Sequence, residues 1–245
     1  MNIFDFLKKL VFYLIPTNCV ECGKIGFNLC DECRSKIDFI DTQACPNCRA
    51  KSPFGNFCSE KCVDNFFNGQ SCFLNGIIVC CKYEKNGIIE KLITRFKYKF
   101  SDEIKSVLCP ITNKYFDKFV ELNFDFIIPV PLHSKREKMR GFNQAEILCE
   151  EITKNHPSIP KKIKIIKRKY NTLQQAKLSR AGRLVNLTNA FILKNLSSEE
   201  IAKFYGKTFI IIDDVCTTGS TLNECARALQ PLKPKKIYGL VLARG

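Results

Sequence analysis

The sequence predicts an α/β fold in which helices flank a parallel sheet, preceded by a small cysteine-rich domain that binds metal. Strand-like and helix-like segments alternate from about residue 77 onward, an order typical of parallel strands joined by crossover helices. Eight of the 15 cysteines lie before residue 63, and most of these form pairs separated by two residues, as in zinc sites. We therefore expect two domains, residues 1–70 and residues 71–245.

The composition indicates a globular protein with anionic partners. With 245 residues and 45% hydrophobic composition, the chain can bury a core. The formal net charge of +15 favours phosphates or nucleic acid as partners. No apolar run reaches the roughly 18 residues of a membrane span. The apolar N-terminal stretch carries Asp5, Lys8 and Lys9 and lacks the cleavage site of a signal peptide. A cytoplasmic location is therefore expected.

Residues 1–15 predict a short amphipathic helix. Ile3, Leu7, Leu10 and Leu14 fall on one stripe at helical spacing, and a proline at position 16 ends the pattern. This helix either docks onto the body of the protein or contacts a membrane surface. The sequence leaves both alternatives open.

The N-terminal cysteines predict two structural zinc sites. A C-x-x-C pair places two sulfurs on one side of a tight turn, and two such pairs complete the tetrahedral four-sulfur site that zinc prefers. Four protein ligands leave no coordination position open, so both ions are expected to be structural. The predicted ligands are Cys19, Cys22, Cys30, Cys33, Cys45, Cys48, Cys58 and Cys62. Each consecutive quartet can bind one ion, but interleaved pairing is also possible.

Apolar periodicity predicts the remaining elements. We expect a linker over residues 66–71, strands over residues 77–83, 124–130, 191–193 and 236–242, and helices over residues 87–98, 102–119 and 197–204. Lysine and isoleucine alternate within residues 161–169, which favours a strand with one buried face.

Residues 209–221 combine a buried strand with two acids and a phosphate-binding helix entrance. Four apolar residues indicate a strand buried on both faces, and Asp213 and Asp214 follow. A short loop with hydroxyls and one glycine then enters a helix, for which Thr221 and Glu224 fit a capping box. Such an entrance binds phosphate on free backbone N–H groups. The acids can accept hydrogen bonds from sugar hydroxyls or face a hydrated Mg²⁺, so the predicted ligand is a sugar phosphate.

A second anion-binding segment follows the strand predicted at residues 124–130. That strand ends in Pro129-Val130-Pro131-Leu132-His133, and a basic loop succeeds it. The cations of the loop are Lys135, Arg136, Lys138 and Arg140. A rigid strand end followed by arginines suits a pyrophosphate, since one guanidinium binds two oxygens at once. Because both anion-binding segments follow strand ends, we expect them to meet at the carboxyl edge of the sheet.

The chain from Ile152 to Ser198 contains no acidic residue but eleven lysines and arginines. Within it, residues 171–186 are polar, basic and poorly periodic, which indicates a loop. Such a loop is either an ordinary basic surface loop or part of a surface that binds nucleic acid.

Residues 209–221 resemble the signature with which type I phosphoribosyltransferases bind 5-phosphoribosyl-1-pyrophosphate (PRPP). The Pro-Val-Pro-Leu-His strand end, the Arg-Gly-Phe-Asn-Gln sequence at residues 140–144 and the N-terminal cysteines extend this likeness. From Cys19 to Arg244 the chain is similar to the ComF (competence protein F) family of phosphoribosyltransferase-like proteins. The resemblance implies a type I phosphoribosyltransferase-like sheet preceded by a double zinc ribbon.

The resemblance also implies residue roles. Asp213 and Asp214 would hold the ribose hydroxyls, Arg140 and Arg183 would stabilise the leaving pyrophosphate, and residues 171–186 would close as a lid. The remaining PRPP-binding residues would be Pro131, Leu132, Lys135, Arg136, Val215, Cys216, Thr217, Thr218, Gly219, Ser220 and Thr221. No residue is an obvious covalent nucleophile, and Cys216 is interpreted as a spacer.

Two functions are compatible with the sequence. The first is the Mg²⁺-dependent transfer of phosphoribosyl from PRPP to a nitrogen acceptor that the sequence does not identify. The second is a non-catalytic protein that handles single-stranded DNA, because the resemblance links the chain to DNA uptake in natural transformation. Other competence proteins would then be partners. The fold by itself does not choose between them.

Overall fold

The structure is a computed structural model that describes residues 17–98, 102–118, 120–156, 161–169 and 189–245. Its strands are β1 (Gly76–Lys82), β2 (Phe126–Pro129), β3 (Lys161–Lys162), β4 (Ile166–Arg168), β5 (Phe191–Leu193), β6 (Thr208–Cys216) and β7 (Lys236–Arg244). Its α-helices are α1 (Asp31–Arg34), α2 (Glu60–Phe67), α3 (Ile88–Tyr98), α4 (Asp102–Lys118), α5 (Ser134–Arg140), α6 (Gln144–Asn155), α7 (Ser198–Phe204) and α8 (Ser220–Ala228).

Five of the strands form a parallel sheet in the order β1-β7-β6-β2-β3. Strand β6 is central, pairing with β7 on one side and with β2 on the other. Because these pairings are all parallel, the strands end at one common carboxyl edge. The parallel sheet predicted from the sequence is therefore confirmed. Strands β4 and β5 form a separate antiparallel ribbon.

Helices cover both faces of the sheet, because its central strands are apolar on both sides. Along β6, Ile210 and Ile212 belong to the core formed with α3, α4 and α6, whereas Phe209 and Ile211 belong to the core formed with α2 and α8. This division follows the two-residue period of a strand. The four apolar residues before the acids are all buried, as predicted.

The cysteine-rich segment covers the outer edge of β1. The backbone N–H of Ile40 donates to the carbonyl of Cys80 at 2.9 Å. The Gln43 side chain bonds both the N–H and the carbonyl of Val79, each at 2.9 Å. These bonds satisfy backbone groups of an edge strand that otherwise offer a template for pairing with another chain.

The linker predicted at residues 66–71 begins later than expected. Phe66 and Phe67 form the end of α2 and are buried, at 2% and 0% exposure, in the core beside the sheet. Asn68 then leaves the helix in a left-handed conformation at φ 51°. The division of the chain at residue 70 remains a proposal.

Two basic segments also differ from their predictions. Residues 134–140 form α5 rather than a loop, because Nδ1 of His133 caps the helix by accepting from the N–H of Lys135 at 3.2 Å. Gly141 ends this helix at φ 78°. Residues 161–169 do not form one strand: they divide between β3, which joins the sheet, and β4, which joins the ribbon.

Two further predictions lie outside the described residues, namely the helix over residues 1–15 and the loop over residues 171–186 with Arg183. In the part of the chain that the structure describes, none of the helices combines the length and the apolar character needed to cross a membrane.

Candidate functional site

The acid pair, Asp213 and Asp214, lies near the carboxyl end of β6. Both residues are inside the strand rather than after it, since β6 continues to pair with β7 as far as Cys216. Asp214 is 7% exposed, and its Oδ1 lies 3.0 Å from Nζ of Lys97, at the end of α3. The structure thus adds a cation to the acid pair that the sequence did not indicate.

Asp213 is half-buried, and its Oδ1 accepts a hydrogen bond from the N–H of Asp214 at 2.9 Å. Burial, followed by the neighbouring charge of Asp214, raises the pKa of Asp213 to about 7, against the opposing effects of Lys97 and Arg168. The Asp213 carboxyl therefore changes its charge near neutral pH. A ligand that donates hydroxyl groups or brings a metal ion favours the ionised form.

The phosphate loop, defined as residues 217–221, connects β6 to α8. Gly219 is the N-cap residue at φ 75°, and the helix begins at Ser220. The hydroxyl oxygens of Thr218 and Ser220 lie 2.5 Å apart. These hydroxyls bond each other, and Oγ1 of Thr218 also accepts from the N–H of Ser220 at 3.4 Å. An anion bound at this helix entrance would therefore replace local hydrogen bonds of the loop.

The capping box predicted at Thr221 and Glu224 is wrong. The left-handed conformation of Gly219 lets the chain enter α8 two residues earlier than expected, and no side chain caps the helix. Glu224 instead accepts a hydrogen bond from Arg227 at 3.0 Å and one from the N–H of Asn189 at 2.9 Å.

Three arginines line a cavity of about 250 Å³ together with the acid pair and Thr221. Arg136 and Arg140 belong to α5, and Arg168 ends β4. Burial lowers the pKa of Arg136, and the charge of Arg140 lowers it further. Burial likewise lowers the pKa of Arg168, with Arg136 as the next cause. Crowded cations that are partly desolvated gain most from a polyanion bound between them.

The Arg-Gly-Phe-Asn-Gln sequence holds Arg140 in place. Nη1 of Arg140 donates to Oε1 of Gln144 at 3.2 Å, and its guanidinium lies 5.6 Å from the centre of the Tyr98 ring. The buried Asn143 side chain donates to the carbonyl of Val130 at 3.0 Å and accepts from the N–H of Ala145 at 3.1 Å. These contacts tie the start of α6 to the end of β2.

Some of the predicted PRPP-binding residues lie away from the cavity. Lys135 is exposed on α5 and does not line it. Pro131 lines a neighbouring cavity of about 300 Å³, and Leu132 borders both. Cys216 is buried, and burial raises its pKa to about 11, which suits a spacer rather than a nucleophile.

Sequence reasoning did not assign two cations of the cavity, Lys97 and Arg168, to the PRPP site. Arg168 is half-buried, whereas Lys167 and Lys169 on either side of it are exposed. The two-residue period of a strand could have separated Arg168 from these lysines. For Lys97 no local signal exists, since its place at the cavity depends on how α3 packs against the sheet.

The eight N-terminal cysteines form two clusters, each from a consecutive quartet. Cluster 1 contains Cys19, Cys22, Cys30 and Cys33, and cluster 2 contains Cys45, Cys48, Cys58 and Cys62. All sulfurs of a cluster lie within 4.8 Å of one another. Representative distances are 3.6 Å for Cys22–Cys30 and 3.3 Å for Cys58–Cys62. Zn–S bonds of about 2.3 Å in a tetrahedron separate sulfurs by about 3.8 Å, so both clusters can hold zinc and the interleaved pairing is excluded.

Backbone amides favour one thiolate in each cluster, at Cys19 and at Cys45. Burial raises the pKa of Cys19, but N–H groups of Cys30 and Cys22 outweigh this effect and lower the pKa to about 6. In cluster 2, burial is likewise outweighed by the N–H groups of Cys48 and Cys58, which lower the pKa of Cys45 to about 6. In contrast, burial raises the pKa of Cys33 to about 12, and the side-chain hydrogen bond with Cys62 raises the pKa of Cys58 to about 12. The thiolate is the form that binds a metal ion.

Comparison with known proteins agrees with this geometry. Residues 138–245 match the family model described as phosphoribosyl transferase domain. The chain is 30% identical to competence protein F of Haemophilus influenzae over 228 residues, which are 92% of this chain and 90% of that protein. It is also 30% identical to competence protein ComFC of Bacillus subtilis over 205 residues, covering 82% and 77% of the two chains.

A third relative is DNA utilization protein YhgH of Escherichia coli O157:H7, which is 39% identical over 106 residues, or 43% of each chain. The extent of the first two matches, the phosphoribosyltransferase domain and the paired four-cysteine clusters agree with one another. The chain therefore belongs to the competence protein F family.

Proposed function

We propose that this protein binds PRPP with Mg²⁺ in the 250 Å³ cavity and transfers the phosphoribosyl group to a nitrogen acceptor. The observation that carries the proposal is that the acid pair, Thr221 of α8 and the three arginines line one cavity, and that the rest of the phosphate loop lines a small pocket of about 10 Å³ that shares Asp213 and Thr221 with it. Each group suits one part of PRPP. A cavity lined by cations alone would suit any polyanion, whereas the acid pair adds acceptors for a ribose diol.

The phosphate loop would bind the 5′-phosphate through its amides and hydroxyls. Asp213 and Asp214 would accept hydrogen bonds from the ribose hydroxyls. Arg136, Arg140 and Arg168 would hold the pyrophosphate. Bound Mg²⁺ would supply further neutralisation of the pyrophosphate charge. We propose Arg183 as an additional contact from residues 171–186.

In the proposed reaction the bond between C1 and the pyrophosphate oxygen breaks, and its electron pair leaves with pyrophosphate. The lone pair of the acceptor nitrogen forms the new bond to C1, and the nitrogen then loses its proton. The arginines stabilise the charge that develops on the leaving group, which makes catalysis largely electrostatic. Asp213 and Asp214 hold the ribose while C1 gains oxocarbenium character.

Pyrophosphate release tests the catalytic proposal. Purified protein is incubated with PRPP, Mg²⁺ and a panel of nucleobases and amines. We expect release that requires one acceptor and disappears in the Asp213→Asn plus Asp214→Asn variant. Release of equal size in the variant would contradict the role of the acid pair. No release from wild-type protein that binds PRPP would contradict catalysis.

A second candidate function is the handling of single-stranded DNA. Exposed Lys164, Lys167 and Lys194 line the 300 Å³ cavity, which shares Leu132 and Arg168 with the PRPP cavity. Glu137 and Glu146 also line this cavity, and Glu146 pairs with Lys164, so the cations that suit a phosphodiester backbone are Lys167, Lys194 and Arg168. Two relatives are named competence proteins and a third a DNA utilization protein. We propose that single-stranded DNA and other DNA-uptake proteins are partners.

The proposed location is the cytoplasm, because metal-binding thiols persist where the environment is reducing. Contact between residues 1–15 and a membrane surface also remains a proposal. Cosedimentation with anionic lipid vesicles, comparing the full chain with a Leu7→Glu plus Leu10→Glu variant, tests it. Equal binding by both proteins would contradict membrane contact through residues 1–15.

A further inference from the structure

We infer that cysteine cluster 2 positions the phosphate loop through helix α2, and that Phe66 is the residue that transmits this effect. The inference rests on the proposed PRPP site and deepens it, because it makes the metal occupancy of cluster 2 a determinant of phosphate binding. Phe66 is a positioning residue in this scheme and does not touch the ligand.

Helix α2 joins the cluster to the loop. Its N-cap, Ser59, accepts a hydrogen bond from the N–H of Cys62 at 3.2 Å, so the ligand Cys62 lies in the first turn. Phe66 follows four residues later and therefore lies on the same side of the helix. Any displacement of the Cys62 end of this two-turn helix moves Phe66 as well.

Phe66 packs directly against the phosphate loop. A Cβ atom placed on Gly219 would lie 2.8 Å from Cε1 of Phe66 and 3.3 Å from Cε1 of Phe67. Contacts this short leave no room for a side chain at Gly219. The two rings are themselves fixed at a centroid distance of 4.9 Å in an edge-to-face arrangement. The two rings therefore pack against the loop at Gly219, the residue that adopts the left-handed conformation.

Arg244 provides a second connection between cluster 2 and the loop. Its guanidinium lies 4.7 Å from the centre of the Phe66 ring, and Nη2 donates to the carbonyl of Pro46, which lies between Cys45 and Cys48. The next residue, Gly245, donates its N–H to the carbonyl of Cys216 at 3.0 Å, directly before the loop. Cluster 2, Phe66 and the end of β6 are thus connected on two sides.

Cluster 1 contacts a different element and offers a matched control. Arg95 of α3 donates to Oδ1 of Asn28 at 3.0 Å, and Lys91 pairs with Glu21 at 2.7 Å. These contacts link cluster 1 to α3 rather than to the phosphate loop. Cys22 of cluster 1 and Cys48 of cluster 2 are both exposed ligands, so their serine variants perturb the two clusters comparably.

Hydrogen exchange of the full-length, ligand-free protein tests the inference. In Cys48→Ser we expect the hydrogen-bonded amides of the loop's turn, those of Ser220 and of Asn223, which donates to the carbonyl of Gly219 at 2.9 Å, to exchange about tenfold faster. A loss of about 1.4 kcal/mol in local stability produces this change. In Cys22→Ser the faster exchange should appear in α3 and not in the loop. Equal loop exchange in the two variants, or no change in Cys48→Ser, would overturn the inference.

The variant Phe66→Leu keeps every cysteine. It tests the positioning role of Phe66 even if Cys48→Ser does not fold. We expect faster loop exchange with an unchanged zinc content and a cooperative melting transition. Loop exchange equal to that of wild type would overturn the role of Phe66. Exchange is measured without PRPP, so its result does not depend on PRPP binding. Failure of wild-type protein to bind PRPP would refute the proposed function, whereas unchanged loop exchange would refute the positioning role of cluster 2.

Discussion

At the candidate site, the chemistry of Asp213 depends strongly on its surroundings. A carboxyl group with a pKa of about 7 is protonated in a large fraction of free molecules at neutral pH. The proposed ligand favours the carboxylate, because ribose hydroxyls donate hydrogen bonds to it and Mg²⁺ prefers anionic oxygen ligands. Binding and proton release are therefore coupled at this residue.

This coupling predicts the pH dependence of PRPP affinity. As pH rises from 6 to 8 the Asp213 carboxyl loses its proton, so we expect the affinity for Mg²⁺-PRPP to increase. Asp213→Asn should weaken binding by roughly 10- to 100-fold, as for loss of a charged hydrogen bond, and should retain only the pH dependence of PRPP itself. Calorimetric titrations at several pH values measure both. Parallel pH profiles of wild type and variant would contradict the assignment.

The same residue predicts a gain of stability on substitution. The pKa of Asp213 in the folded protein, about 7, exceeds the ordinary value of 3.8. The folded state therefore binds more protons between these values, and stability falls as pH rises from about 4 to about 7. Asparagine keeps an Oδ1 acceptor for the N–H of Asp214 and carries no charge to desolvate.

We expect Asp213→Asn to stabilise the protein at pH 8 by on the order of 1–2 kcal/mol, a value discounted for partial exposure and for coupling to Asp214. The gain should be smaller at pH 5. Thermal melts at the two pH values measure it. A variant that is less stable than wild type at pH 8 would show that the ionised Asp213 carboxyl does not destabilise the folded protein.

At the scale of single elements, β4 and the residue after it carry cations of both proposed sites. Arg168 lines both cavities, whereas Lys167 and Lys169 are exposed and do not line the PRPP cavity. Arg168→Ala should therefore weaken PRPP binding. The Lys167→Ala plus Lys169→Ala variant should spare PRPP and reduce the log–log salt slope of single-stranded DNA binding by about 1.4, from two contacts at about 0.7 each.

Filter binding at a series of salt concentrations measures this slope. Lys233→Ala plus Lys235→Ala is the matched control, because these two exposed lysines precede β7 and so lie at the opposite edge of the sheet. An equal slope change in both variants would indicate general charge attraction. It would remove β4 from the proposed DNA surface.

The elements that the sequence predicted best are those governed by local pattern. The buried strand before Asp213 and the helix after Gly219 follow from apolar periodicity and a glycine turn. Predictions from the sequence were wrong or incomplete where tertiary contacts determine the position of a residue. Phe66 and Phe67 resembled a linker because their partners lie in β1 and the phosphate loop, and Lys97 reaches Asp214 only after α3 has packed on the sheet.

At the scale of the whole molecule, the cysteine clusters connect the N-terminal segment to the sheet. We expect about two zinc ions per chain by elemental analysis, since each cluster has the four sulfurs of a structural site. Chelation should lower the melting temperature, because zinc binding contributes to the folding of small metal-binding segments. A zinc content near zero in reduced, folded protein would contradict both expectations.

The most direct test of the central claim is a calorimetric titration of the protein with Mg²⁺-PRPP. We predict one binding site per chain in wild type, no detectable binding in the Asp213→Asn plus Asp214→Asn variant, and unchanged affinity in Glu199→Gln, which alters an exposed acid of α7. Melting curves must show that all three proteins are folded. Absence of binding by wild type, or undiminished binding by the double variant, would contradict the assignment of this cavity to PRPP.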